Sequence, residues 1–429
     1  MMTRRTVLTG GAATAMIAGA PDPLASLLDG GGDPGFAVPA WAAYAGPIKR
    51  NDVYFARAGG LANVPARRRM TVDTPVRVAS ISKLVLAIGF MPLVDAGKVG
   101  LDDDVSDILG FTLRHPLFPG ERITPRRLLS HTSGLRDGPS YPVAFGRPLS
   151  AALTPGGAQW DDGAWFGPAN EPPGDWFAYC NTGFAVLAQV IERLTNARFD
   201  RFMTNTLFRP QGLDCGYNWS GVSQVSRDQA GTLYRKAPSD EGPYDPAGPW
   251  IAQVDDAVPA SPGVAHARAP EAGDRPLDSY QPGENGFVFS PQGGLRISVG
   301  DLIQVANPLA MAGGAWLSAA GVAQITSPVW RFDPKRPNGD AYGGAIRAYG
   351  LACQTLTGVD GDNLFDGCEG WVGHAGDAYG LTSGLWINTR TRRSMAYVIT
   401  GEARSLKANQ GRSNFTRQEE LLAGVLSRV

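Results

Sequence analysis

The sequence predicts an α+β fold, with one antiparallel sheet assembled from the two ends of the chain around a helical middle. Three observations lead there. Strand-like runs lie near both ends, at Gly35 to Ala42 and Asp52 to Ala58, then at Tyr349 to Leu356, Trp371 to His374, Thr382 to Asn388 and Met395 to Thr400. From Asp103 to Asp200 the pattern is helical segments broken by Gly/Pro loops. A helix from Arg417 to Ser427 closes the chain, with Thr416-x-x-Glu419 as its cap.

In chain order, Leu24 to Asp29 reads as a short helix. Val53-Tyr54-Phe55-Ala56 supplies β-formers to the first hairpin, and Gly59-Gly60 is expected to stop it. A helix is expected from Ser80 to Ala96, with Gly97 as its left-handed terminal residue. Asp102, Asp103 and Asp104 suggest a solvated turn before the next helix. Thr124 reads as an N-cap with Pro125 at the first helical position. Ser220 to Gly286 is rich in Pro, Gly, Asp and Ser, and its aromatics Tyr234, Tyr244, Trp250 and Tyr280 are candidates for substrate contact or for surface packing. Ser298-x-x-Asp301 resembles a capping box before a helix through Leu309. The division this implies is 21–102 with 290–429 as a sheet domain, and 103–289 as a helical and loop-rich domain.

The stretch Val76-Arg77-Val78-Ala79-Ser80-Ile81-Ser82-Lys83 carries the first chemical signal. Positions i and i+3 share a helix face, so the Lys83 ammonium can reach the Ser80 hydroxyl. Ser80 also lies at the positive end of the helix. The chain prefers arginine strongly; its lysines are Lys49, Lys83, Lys98, Lys236, Lys335 and Lys407, and Lys83 alone has a serine three residues before it. A lysine desolvated among Ile and Leu can act as a base, which arginine cannot. The alternative is that Ser80 only caps a core helix and Lys83 snorkels to its surface.

Tyr179-Cys180-Asn181 precedes an apolar helix, Phe184 to Leu194, and His374-Ala375-Gly376 lies in a strand-like setting. In the order S-x-x-K, Y-x-N, H-x-G, these motifs resemble the serine β-lactamase and penicillin-binding protein superfamily. They are most similar to the branch with class C β-lactamases, D,D-carboxypeptidases, D-aminopeptidases and family VIII carboxylesterases. The segments 123–135 (with Ser130-His131-Thr132-Ser133-Gly134-Leu135) and 293–302 agree with that branch, and the resemblance covers the chain from about Gly35 to the C-terminal helix. It implies a β-lactamase/transpeptidase-like fold: an antiparallel five-stranded sheet flanked by helices, an inserted mainly helical domain, and an active site in the cleft between them.

The resemblance further implies a serine hydrolase that cleaves an ester or amide through an acyl-Ser80 intermediate, with no metal or organic cofactor. Lys83 and Tyr179 are both candidates for the base. Asn181 is expected to position Lys83 and bond a substrate amide, and the backbone N–H groups of Ser80 and Asp377 to form the oxyanion hole. His374, Gly376 and Asp377 are the further substrate-binding candidates. Typical β-lactamases carry Lys-Thr-Gly where this chain has His374-Ala375-Gly376, so the hydroxyl that helps hold a drug carboxylate is lost. Efficient β-lactam hydrolysis is therefore not expected to be the main activity. Asp377 either favours an ammonium-bearing substrate such as a D-amino-acid amide, or faces solvent or a nearby arginine. A class C-type β-lactamase and a non-catalytic penicillin-binding protein are the alternatives to an esterase-like or D-peptidase-like enzyme.

The 429 residues carry 43% hydrophobic and 18% charged side chains and a formal charge of -1, so nothing points to nucleic acid as a partner; a small ester, amide or peptide is expected instead. No metal spacing joins the four histidines or the four cysteines. Cys353 and Cys368 flank a polar connection and could form a disulfide across a hairpin, or stand as two buried thiols. Residues 1–20 resemble a twin-arginine signal peptide, with Arg4-Arg5, an apolar run and Ala18-Gly19-Ala20. Its removal deletes two arginines and no acid, taking the formal charge from -1 to -3. A periplasmic or secreted protein without a membrane span is the expectation.

Overall fold

The structure is a computed structural model that describes residues 22–47, 55–217, 219, 221–238, 242–255, 279–401 and 411–429. The signal-like segment 1–20 and hairpin residues 52–54 lie outside these. Fourteen strands are present among the described residues. They are β1 (Ala40–Pro47), β2 (Phe55–Asn63), β3 (Arg68–Arg69), β4 (Val76–Arg77), β5 (Gly216–Tyr217), β6 (Leu233–Arg235) and β7 (Ile251–Val254). The rest are β8 (Leu295–Ile297), β9 (Trp330–Arg331), β10 (Ala348–Tyr349), β11 (Gln354–Thr355), β12 (Val372–Ala378), β13 (Leu381–Asn388) and β14 (Arg393–Thr400). The longer helices are α1 (Ile81–Asp95), α2 (Thr182–Thr195), α3 (Val299–Ala310), α4 (Ala319–Thr326) and α5 (Arg417–Leu426).

The main sheet runs β3-β2-β1-β14-β13-β12-β11-β10-β9, so it has nine strands where five were expected. Five of them, β1, β2, β12, β13 and β14, are seven to nine residues long; the other four are two-residue strands at the edges. The expected single strand from Tyr349 to Leu356 accounts for two of these. Gly350 donates its N–H to the Cys353 carbonyl and Ala352 turns left-handed at φ 52, so the run folds back on itself as β10 and β11. The chain ends do meet in the sheet: Ala40 pairs with Thr400 along the whole antiparallel β1–β14 ladder.

The first hairpin forms with shifted bounds, because Gly59-Gly60 continues β2 and does not stop it. A Cβ at Gly59 would lie 2.7 Å from the Trp41 indole nitrogen, and one at Gly60 (φ 80) would lie 2.0 Å from the Pro39 carbonyl oxygen. These glycines mark close backbone approach within a strand.

Both faces of the sheet are covered, and the strand residues alternate between them. Ala40, Ala42, Leu385, Ile387, Ala396 and Val398 pack with α1 and α3; Trp41, Ala43, Trp386, Met395, Tyr397 and Ile399 pack with α5. This is the period of two that a β-strand imposes on its side chains. The helix starts follow the caps read from the sequence. Thr124, Ser298 and Thr416 each accept a backbone N–H three residues on, and Thr416 with Glu419 completes a capping box. Gly97 takes φ 64 beyond α1, as expected.

Asp104 is not in a solvated turn; it is buried against Arg114 and Ser106. All four cysteines are buried free thiols. Of the two alternatives for Cys353 and Cys368, the buried thiols hold and the bridge does not form, because the two lie in separate apolar clusters on opposite faces of the sheet.

Candidate active site

Ser80 stands where β4 turns into α1. Ala79 before it adopts φ 48, a strained conformation for a residue with a Cβ, and the turn leaves Ser80 as the first residue of the helix end. The Ser82 hydroxyl donates to the Ala79 carbonyl at 2.6 Å, which braces that turn. Lys83, one helical turn on, is fully buried. Its Nζ lies 3.0 Å from Ser80 Oγ and 2.8 Å from the Gln292 carbonyl oxygen. It also sits 4.8 Å from the centre of the Tyr179 ring. Burial, assisted by the Arg77 charge and opposed by Asp137 and Cys180, pushes the Lys83 pKa down to about 7. An amine of that pKa is half unprotonated at neutral pH and can accept a proton.

Tyr179 reaches the same serine: its hydroxyl is hydrogen-bonded to Ser80, and burial raises its pKa above the ordinary phenol value. Lys83 Nζ stands 4.8 Å from the centre of the Tyr179 ring, and its charge does not offset the burial that raises the phenol pKa. Both candidates touch Ser80, and the opposite directions of their pKa shifts favour Lys83 as the proton acceptor. Tyr179 is held from behind by His131, whose ring stacks on it at 4.2 Å and whose Nδ1 accepts the Cys180 N–H at 3.0 Å. His131 is neutral, because burial, the nearby Lys83 and His374 lower its pKa far below the ordinary value.

Asn181 does not hold Lys83, the role expected of it. Its amide donates to Asp137 Oδ2 at 2.8 Å, and the Gln292 carbonyl takes Lys83 instead. Asp137 also accepts the backbone N–H of Thr182 at 2.8 Å and the Thr182 hydroxyl at 2.9 Å, so one carboxylate caps α2 and fixes the Y-x-N turn.

His374, Gly376 and Asp377 lie on β12 and line the cleft. His374 is not a cation. Its Nδ1–H donates to the Ala375 carbonyl, and its Nε2 accepts the Tyr349 hydroxyl at 2.8 Å. Burial and the neighbouring Lys83 push its pKa down to about 3. Both nitrogens serve the protein, so His374 brings a neutral wall to the cleft where a lysine would bring charge. Gly376 lets the strand close on the nucleophile: a Cβ there would stand 3.2 Å from the Ser80 backbone nitrogen and 2.5 Å from the Val78 oxygen. Asp377 is exposed, opposite Thr382 in the ladder.

The cleft has a volume of about 700 Å³. Its aromatic walls are Tyr141, Tyr342, Tyr379 and Phe415; none of the four aromatics suggested from the 220–286 stretch lines it. Tyr234 and Tyr280 are buried, and the Tyr280 hydroxyl donates to Glu192. Trp250 lies under Lys236. Asp137, Gln292 and Arg77 are the site residues that the motifs did not single out. Asp137 follows His131-Thr132-Ser133-Gly134-Leu135 by two residues, and Gln292 immediately precedes Gly293-Gly294, so both stand beside segments that had drawn attention.

A family model described as Beta-lactamase matches residues 38–413, and the chain belongs to that family. Penicillin-binding protein 4 of Amycolatopsis lactamdurans is 32% identical over 145 residues, covering 34% of this chain and 36% of that one. A D-aminopeptidase of Brucella anthropi is 28% identical over 166 residues, covering 39% and 30%. The chain thus spans about a third of the length of these curated relatives. Among solved structures, EstCE1, a hydrolase with promiscuous acyltransferase activity, superposes with a TM-score of 0.61 at 18% identity, over 94% of this chain and 98% of that one. That likeness establishes the β-lactamase/transpeptidase-like α+β fold.

Proposed function

We propose that the protein is a serine hydrolase that cleaves a small ester or amide through an acyl-Ser80 intermediate. One observation carries this: a buried lysine with a pKa near 7 stands 3.0 Å from a serine hydroxyl at the floor of an open cleft. Ser80 Oγ attacks the substrate carbonyl and its proton passes to the unprotonated Nζ of Lys83. The oxyanion is received by the backbone N–H groups of Ser80 and Asp377, a reading supported by the close approach of Gly376 to the Ser80 backbone nitrogen. Tyr179, kept protonated by its raised pKa, donates a hydrogen bond to the departing oxygen or nitrogen. That atom then takes the proton held by Lys83. Water, deprotonated in turn by Lys83, releases the acyl group and restores Ser80.

The penicillin-binding protein and D-aminopeptidase relatives support acyl transfer on esters, amides or peptides as the chemistry. The neutral His374 and the Ala375 beside it support an esterase-like or D-peptidase-like enzyme over an efficient β-lactamase. The signal-like segment 1–20 supports export. No helix among the described residues is long and apolar enough to cross a membrane.

The test is intact-mass spectrometry of wild type and Ser80→Ala during turnover of a short-chain p-nitrophenyl ester, a D-amino-acid amide and benzylpenicillin. The expected result is an acyl adduct on the wild type, absent from Ser80→Ala, with rapid release for ester or amide and slow release for the drug. Turnover that survives Ser80→Ala would sink the proposal.

A further inference from the structure

One residue grips Tyr179 from three sides. The His131 carbonyl accepts the Ala178 N–H at 2.9 Å, and His131 Nδ1 accepts the Cys180 N–H at 3.0 Å. The imidazole stacks on the Tyr179 ring, with centres 4.2 Å apart and planes inclined by 28°. The backbone before the tyrosine, the backbone after it and its ring therefore all meet His131. That residue follows the short helix Pro125–Leu129 and takes φ 57, a left-handed conformation that most side chains avoid. Tyr179 needs such support, because it lies in no helix or strand. It sits between a single β-bridge at Phe177 and the start of α2 at Thr182. A group that assists a bond as it breaks has little tolerance for drift, and a misplacement of about 1 Å can cost about 100-fold in rate.

Packing alone does not call for an imidazole here. His131 is 2% exposed, and the rings of Phe177, Phe184 and Tyr349 surround it at 5.1 to 5.6 Å. An N–H donates only to a ring nitrogen without a hydrogen, so the proton of the neutral ring is on Nε2. Nε2 is buried and finds no hydrogen-bond partner among the described residues. A buried donor without a partner destabilises the fold, and a phenyl ring would fill the same space without one. What the imidazole adds to a phenyl ring is the Nδ1 acceptor for the Cys180 N–H.

We propose that His131 is a positioning residue for Tyr179: its carbonyl, its Nδ1 and its ring together hold the tyrosine hydroxyl where the leaving group departs. The inference rests on Tyr179 assisting that departure.

The experiment compares kcat/KM on the p-nitrophenyl and ethyl esters of one short acid, with thermal melts to establish folding. A p-nitrophenolate departs unaided, whereas an alkoxide needs the bond from Tyr179. Tyr179→Phe should therefore raise the nitrophenyl-to-ethyl ratio by about tenfold, the lower end of what one hydrogen bond to a developing charge contributes. His131→Phe keeps a stacked ring and loses the acceptor; His131→Asn keeps an acceptor, suits φ 57 and loses the ring. Each should raise the ratio by about threefold or more, because displacement forfeits part of the same bond. Added to Tyr179→Phe, His131→Phe should leave the ratio where it stands, since no hydroxyl remains to misplace. A loss equal on both esters overturns the proposal, because a merely structural role gives that result. So does a further rise of the ratio in the double variant. If Tyr179→Phe leaves the ratio unchanged, or wild type does not turn over the ethyl ester, the leaving-group reading of Tyr179 falls and this inference with it. If Tyr179→Phe raises the ratio and either folded His131 variant does not, only this inference falls. Should His131→Phe not fold, His131→Asn decides by the same ratio.

Discussion

Replacing Lys83 by Met should make the protein more stable at neutral pH, although it removes the proposed base. Met matches the lysine stem in length and needs no solvation. To fold, wild type must bring an amine with an unfolded value of about 10.5 to a folded value of about 7. The group's pKa is lowered on folding, so its cost is complete below about 7, declines across the window from 7 to 10.5, and vanishes above it. At 1.36 kcal/mol per unit, the cost is about 5 kcal/mol near pH 6 and about 2 kcal/mol near pH 9. Against this stands a term independent of pH: Met leaves the Gln292 carbonyl without Nζ, which costs about 1–3 kcal/mol. The expected net gain is therefore about 3 kcal/mol near pH 6, falling to about zero near pH 9. Urea unfolding of both proteins across this range measures it, and titrating groups that Lys83 does not influence cancel in the difference. A stability difference that stays constant from about pH 6 to pH 9 would refute the reasoning, as would destabilisation near pH 6, because either would mean that folding does not lower the Lys83 pKa.

Three other substitutions probe the surroundings. Gly376→Val places a side chain 2.4 Å from Ser383 Oγ and 3.2 Å from the Ser80 nitrogen at its Cβ alone; it should cost about 1–3 kcal/mol in thermal unfolding and about 100-fold in kcat. Asp137→Ala removes the cap of α2 and frees the Asn181 amide, so about 1–2 kcal/mol of stability should be lost in urea unfolding and KM should rise. Tyr349→Phe strips the donor from a buried His374 Nε2 and should destabilise by about 1–3 kcal/mol, leaving the acid limb of the activity profile near 7 because the ring stays neutral.

Much of the frame was legible because its signals are local. Thr124, Ser298 and Thr416 announce helix starts through bonds made within three residues, and Ser80 and Lys83 meet because one helix carries both. What escaped reading depends on partners distant in sequence or on the backbone itself. Lys83 is held by a carbonyl 209 residues away, and every residue has a carbonyl, so Gln292 leaves no mark in the alphabet. The neutrality of His374 comes from burial and from Tyr349, neither visible from the tripeptide. Asp137 reads as a polar loop residue until α2 is brought against it from 45 positions on. Gly59-Gly60 was expected to break a strand, because only the fold shows Trp41 and Pro39 pressing against it.

The β1–β14 ladder has a consequence for how the cleft comes into being. The nucleophile at 80 and the strand that closes on it at 376 are encoded almost 300 residues apart, and the strand that joins β1 to β13 ends at 400. Contacts of such separation form late, because a long loop must be closed before they return any stability. A ribosome-bound or truncated chain that stops short of β14 therefore carries Ser80 and Lys83 on a completed helix but has no sheet to set β12 against them. The cleft around Ser80 is thus completed only once β14 has been made.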